Sequence, residues 1–171
     1  VEKLQARFIL IACGSKPYIP KALKEQNPKL LNSDEMLEIK ELPKSLLIIG
    51  GGVIGAEFAS LFNALGSQVS VVELMPQLLP GQDKEVAKKL ENIFKKKGIK
   101  VSTGTDAASL NSADYQTILC CIGRVANTEG LALEKLGVKL EKGKILTDEN
   151  LRTNIPNIYA AGDCTGNVML A

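Results

Sequence analysis

Gly50, Gly51, Gly52, Val53, Ile54 and Gly55 read G-x-G-x-x-G, a spacing that suits the cradling of a pyrophosphate. The string alone is weak, and its surroundings decide its meaning. Residues 45–49 (SLLII) form an apolar run that predicts a buried strand, and residues 52–65 carry a helical apolar stripe of Ile54, Phe58, Leu61, Phe62 and Leu65. Residues 68–73 (QVSVVE) predict a second strand that ends in Glu73, 18 residues after Gly55. In such a unit the first glycine permits the tight turn, the second lets the backbone approach the phosphates, and the third lets helix and strand pack closely. The helix N-terminus offers free N–H groups and a positive partial charge. A carboxylate at Glu73 is placed to accept hydrogen bonds from the adenosine ribose and to repel the 2′-phosphate of NADP. The following Leu74, Met75 and Pro76 bring no arginine, so NAD is favoured over NADP. The same fingerprint accommodates a flavin dinucleotide, and fold alone does not choose between them.

Other chemistries are excluded by composition. The chain has no histidine, which removes Ser-His-Asp and Cys-His catalysis and His-ligated zinc. Cys13, Cys120, Cys121 and Cys164 show no metal-ligand or C-x-x-C spacing and read as small buried hydrophobes. Cys120 and Cys121 are adjacent in a predicted strand, so their side chains point to opposite faces and are not expected to form a disulfide. Lysine and arginine (21) nearly balance aspartate and glutamate (19), which excludes a basic field for nucleic acid. No apolar run approaches the roughly 18 residues of a membrane span. The amino end does not read as a signal peptide, so a cytoplasmic location is expected.

The elements that must position the glycines follow the same logic. Residues 7–12 predict a strand, and Pro17, Pro20 and Pro28 an irregular connector. Ser33, followed by Asp34 and Glu35, reads as the cap of a short helix. Asp83 reads as the N-cap of a helix reaching about Lys97, with Val86, Leu90, Ile93 and Phe94 as its stripe. Strands are expected over 99–102, 117–122 and 157–161, a short helical pattern over 128–137, and a hairpin around residues 141–143. The strand–helix–strand order requires parallel pairing.

Several separated motifs, spanning nearly the whole chain, resemble the two-dinucleotide-fold flavoprotein disulfide reductases. Residues 9–17 (ILIACGSKP) look like the family's A-T-G-S-x-P segment, and residues 50–57 (GGGVIGAE) match its NAD fingerprint. Residues 121–128 (CIGRVANT) look like its G-R-x-P-N-T stretch, and residues 158–163 (IYAAGD) are similar to its second FAD motif. Asn32-Ser33-Asp34, residues 78–83 (LLPGQD) and the tail Met169-Leu170-Ala171 resemble the dihydrolipoamide dehydrogenase branch.

The resemblance implies a three-layer α/β Rossmann-like FAD/NAD(P)-binding domain, with a central parallel sheet, helices on one side and a small β-meander on the other. Residues 1–43 would link from an FAD domain, 44–125 would form the NAD-binding core, and 126–171 would return with the second FAD motif. Gly50 to Gly55 would hold NAD, with Glu73 on the ribose and Gly123 near the nicotinamide half. Glu57 would pair with a lysine beside the flavin. Cys13, Gly14, Ser15, Met169, Leu170 and Ala171 would line FAD through backbone contacts, and Asp163 would bond its ribityl chain. Cys13 stands where the family usually has Thr, and Ala126 where it usually has Pro. The stretch from Gly104 to Thr117, which includes Ala107 where the family usually makes a contact, is shorter than the family's meander. The redox Cys-x-x-x-x-Cys pair and the carboxy-terminal dimer domain do not occur in the sequence, which reads as a piece of a longer, homodimeric enzyme, inactive in isolation. The expected activity is electron transfer from dihydrolipoamide through FAD to NAD. The alternatives are another reductase or an NADH oxidase of the family, or a non-catalytic dinucleotide-binding module.

Overall fold

The computed structural model describes residues 2–109, 111–166 and 169. In chain order the elements are β1 (Ile9–Ile11), β2 (Ser15–Pro17), α1 (Lys21–Gln26), β3 (Leu30–Leu31), α2 (Ser33–Leu37), β4 (Ser45–Ile49), α3 (Val53–Ala64), β5 (Gln68–Glu73), α4 (Lys84–Lys96), β6 (Lys100–Thr103), β7 (Thr117–Cys120), β8 (Arg124–Ala126), β9 (Leu140–Glu141), β10 (Lys144–Ile145) and β11 (Ile158–Ala160). They fall into two compact units. One is Pro17–Gly123, and the other joins Val1–Lys16 to Arg124–Ala171.

The 17–123 unit is built on a five-stranded sheet in the order β3-β7-β4-β5-β6. All four pairings are parallel. Parallel strands buried on both faces need continuous apolar runs, and β4 supplies one. Along it Leu46 and Ile48 face a core with Ala59, Phe62, Val71, Phe94 and Leu119. The alternate residues, Leu47 and Ile49, face a second core with Leu30, Ile118 and Cys120. Helices α3 and α4 bury the first face through Phe62 and Phe94. Asp83 caps α4 as expected, accepting from the N–H groups of Glu85 at 2.9 Å and Val86 at 3.2 Å.

Three expectations change. The connector after Pro17 is not irregular: α1 and β3 fold onto the sheet, Leu30 is fully buried, and β3 pairs in register with β7. The compact unit accordingly takes in this connector, starting at Pro17. The cap of α2 is Asn32, whose side chain accepts from Asp34 and Glu35 N–H while Glu35 accepts from Asn32 N–H. Asn32 holds the extended φ/ψ a cap needs, and Ser33 is already the first helical residue. Where the β-meander is expected, the connection from β6 to β7 runs through two 3₁₀ turns, Ala107–Ser109 and Ser112–Asp114. So short a connection leaves Ala107 and Tyr115 to join Ile19 and Leu23 in covering the second face.

The other unit pairs β1 with β11 in parallel, Ile9 opposite Ile158 and Ile11 opposite Ala160. It adds the β9–β10 hairpin and a core of Leu133, Val138, Ile145, Ile158, Ala160 and Cys164. The helical pattern expected over 128–137 is a 3₁₀ turn, Leu133–Leu136.

Candidate functional site

The glycine fingerprint sits where β4 ends. The sheet ladder continues into it, with Gly50 N–H donating to Val72 O at 2.8 Å and Cys121 N–H to Ile49 O at 2.7 Å. Gly50 has φ +104°, and a Cβ there would lie 2.4 Å from Cys121 O. A Cβ on Gly51 would lie 2.6 Å from Leu78 Cδ2, and one on Gly55 2.0 Å from Gly50 O. Gly50 and Gly55, whose added carbons would strike backbone oxygens, are required by the fold itself, whereas at Gly51 the Leu78 side chain would have to shift.

Gly52 is different. Its φ of −70° and ψ of −170° suit any residue, and a Cβ there would meet nothing within 4 Å. Gly52 is the N-cap of α3, with no side chain capping the helix, and the first intrahelical bond runs from Ala56 N–H to Gly52 O. The N–H groups of Val53, Ile54 and Gly55 precede that bond and form the donor-rich end of the helix. An open, side-chain-free approach to such an end fits a diphosphate. Val53 is exposed, Ile54 packs on the core, and Glu57 is exposed one turn further along α3.

Glu73 is 8% exposed, and the loop holds its carboxylate. Oε2 accepts from Gly51 N–H at 2.6 Å and Oε1 from Met75 N–H at 2.8 Å. A carboxylate has about four lone-pair sites, so two remain for a ribose diol. Glu73 thus orients the fingerprint loop.

Sequence reasoning missed the brace behind this loop. Leu79 N–H donates to Gly51 O at 2.8 Å, with Leu79 in the left-handed region at φ +49°. Leu78 is fully buried against Gly51. Both peptide groups of Gly51 are therefore fixed, one by Glu73 and one by Leu79. The available signal was the segment 78–83, legible as a motif but not as a contact. Gly123, at φ +143°, closes the strand-end cluster by accepting from Tyr18 N–H at 3.0 Å. Burial and then the neighbouring Cys120 push the Cys121 thiol up to about 12. All four cysteines are free thiols.

The remaining predicted residues lie in the other unit. Asp163 is 2% exposed and accepts from Ser15 Oγ at 2.5 Å. Arg124 Nε donates to the same hydroxyl at 2.7 Å, and its Nη2 donates to Ser15 O at 2.9 Å. Arg124, read before only as part of a motif, thus orients Ser15. Gly14, at φ +68°, accepts from Asn127 N–H at 3.0 Å, and Cys13 is half-buried beside the core. Met169 is half-buried, while Leu170 and Ala171 lie outside the described residues. Among the described residues no cluster suits a metal, and no helix is long and apolar enough to cross a membrane.

Known proteins match the chain over nearly its whole length. The family described as pyridine nucleotide-disulphide oxidoreductase matches residues 1–171. A dihydrolipoyl dehydrogenase of Chlamydia muridarum is 41% identical over 98% of this chain and 40% of its own length. A soluble pyridine nucleotide transhydrogenase of Pseudomonas putida is 38% identical over 97% of this chain and 39% of its own. The HOCl-induced flavoprotein disulfide reductase RclA of Escherichia coli, in its Cu(II) complex, superposes with a TM-score of 0.88 at 29% identity, covering 98% of this chain and 42% of RclA. The chain spans about two-fifths of the length of the curated relatives it matches. From sequence, sheet order and fingerprint geometry together, the chain belongs to the pyridine nucleotide-disulphide oxidoreductase family.

Proposed function

We propose that the chain is the NAD-binding part of a flavin-dependent oxidoreductase of dihydrolipoamide dehydrogenase type. Gly52 carries the reading: neither its φ/ψ nor its surroundings call for a glycine beyond a modest N-cap preference, and room for a diphosphate explains the open space in place of a side chain. When bound, NAD and FAD supply the hydride and electron chemistry, and the chain supplies position and charge. The α3 N-terminus and the Gly52 backbone would hold the pyrophosphate. Glu73 would hold the adenosine ribose and disfavour a 2′-phosphate. Glu57 would face the flavin side, with Gly123 near the nicotinamide. Ser15 and Asp163, ordered by Arg124, would face FAD, together with the backbones of Cys13, Gly14, Met169, Leu170 and Ala171. Dihydrolipoamide as electron donor, a homodimeric whole protein and a cytoplasmic location belong to the same proposal. It is the dihydrolipoyl dehydrogenase relatives that favour this donor over that of another branch.

The test is a thermal-shift titration with NADH, NADPH and FAD on the wild type and on Gly52→Ala. A ligand bound only to the folded state adds about 2.7 kcal/mol at one hundred times its dissociation constant. The reading expects a shift with NADH, a smaller one with NADPH, and loss of the NADH shift in Gly52→Ala. An NADH shift that survives in Gly52→Ala would remove the pyrophosphate from this loop.

A further inference from the structure

Two thiols adjoining Ser15 and Asp163 in sequence, Cys13 and Cys164, are not used by that function. Cys13 follows β1, and Cys164 lies in the 3₁₀ turn Gly162–Thr165 that follows β11. The parallel pairing of β1 with β11 brings the two segments together, and hydrogen bonds bracket their meeting point. Cys164 Sγ lies 3.5 Å from Ile11 O and 3.2 Å from Ala161 O. On the far side of Cys13, Ser15 Oγ bonds Asp163. Residues 11 and 15 therefore each reach the 163–164 segment, and Cys13 sits between them. Cys13 packs on the core that contains Cys164. Their exposures differ: Cys164 is 0% exposed and Cys13 is half-buried.

We propose that Cys13 and Cys164 form a dithiol modification site that reacts with small disulfides and closes into an internal disulfide. The order of events follows from access. The Cys13 thiolate attacks a sulfur of the small disulfide, forming a Cys13–S–S–R bond and releasing one RS⁻. Cys164, out of reach of solvent, then gives up its proton and attacks Cys13 Sγ, expelling the second RS⁻. The protein loses two electrons and two protons, and the small disulfide becomes two thiols. Burial and the neighbouring Cys164 push the Cys13 thiol up, so the first step is slow at neutral pH and speeds up as pH rises.

The probe is oxidised glutathione at pH 9, followed by intact-mass measurement and peptide mapping without reduction. Wild type is expected to lose two of its four titratable thiols, to retain no glutathione, and to give a peptide linking Cys13 with Cys164. Cys164→Ala is expected to keep one glutathione on Cys13. Cys13→Thr, which installs the residue the family usually has, is expected to take none at Cys164; a melting curve establishes that each variant is folded. The proposal is overturned if wild type retains glutathione at Cys13, if the native chain stays unmodified while the denatured chain reacts, or if the linked peptide joins other cysteines.

Discussion

A glycine whose φ/ψ any residue could adopt, with space in place of its side chain, separates ligand binding from folding. At Gly52 the change to Ala loses a few tenths to about 1 kcal/mol of N-cap preference and regains a similar amount of unfolded-chain entropy. Stability should stay within about 1 kcal/mol while NADH affinity falls at least tenfold, as read by calorimetric titration well below the melting temperature. Gly55→Ala is the opposite case, since its Cβ would strike Gly50 O at 2.0 Å. It should lose roughly 1–3 kcal/mol in urea unfolding before any ligand is added. Glu73→Ala would confuse the two effects, because it strands the buried N–H of Gly51 at about 1–3 kcal/mol and releases that of Met75. The glycines and Glu73 were legible in the sequence because spacing and residue type carry them. The brace by Leu78 and Leu79 was not, because it depends on how a loop folds back on Gly51. The thiols add a dependence on pH. Cys121 is raised from 9.0 to about 12, so the unfolded chain ionises first. Its contribution to stability is fully present below pH 9 and is lost as pH rises toward 12. Urea midpoints should fall across that window, and Cys121→Ala should flatten the fall.

At the scale of elements, what the sequence showed depended on length and period. β4, α3, β5 and α4 were legible because each carries an apolar pattern of its own period, closed by a glycine, an acid or a cap. α1 and β3 were hidden because six and two residues are too short for any period, and because three prolines in their neighbourhood read as a connector. What orders them is tertiary: Leu30 is fully buried and paired with Ile118 of β7. The α2 cap was misplaced by one residue because Asn32, Ser33 and Asp34 are all capping types, and only the extended backbone at Asn32 decides among them. Asn32→Ala should therefore lower stability by about 0.5–2 kcal/mol, and Ser33→Ala by less, in urea unfolding. An equal loss at the two positions would mean that the cap moves between them.

At the scale of the whole molecule, the two units differ in how the chain supplies them. The 17–123 unit is one continuous stretch holding the complete five-stranded sheet, both of its cores, the glycine fingerprint, Glu73 and the Leu78–Leu79 brace. It lies within the size range at which single domains fold alone. The other unit joins two distant stretches of chain, and its β1–β11 sheet has only two strands, too few for independent stability. The glycine fingerprint predicted one dinucleotide site, but nothing in the residue pattern marked Pro17 and Gly123 as the edges of a compact body; that follows from α1 and β3 joining the sheet. Residues 17–123 made alone should therefore unfold in one cooperative transition by far-UV circular dichroism. They should also bind NADH as the full chain does, because every residue placed on the pyrophosphate and the ribose is inside. A cooperative fold without NADH binding would mean that the other unit contributes to that site. A chain with no transition would mean that the sheet needs residues 1–16 or 124–171 to hold it.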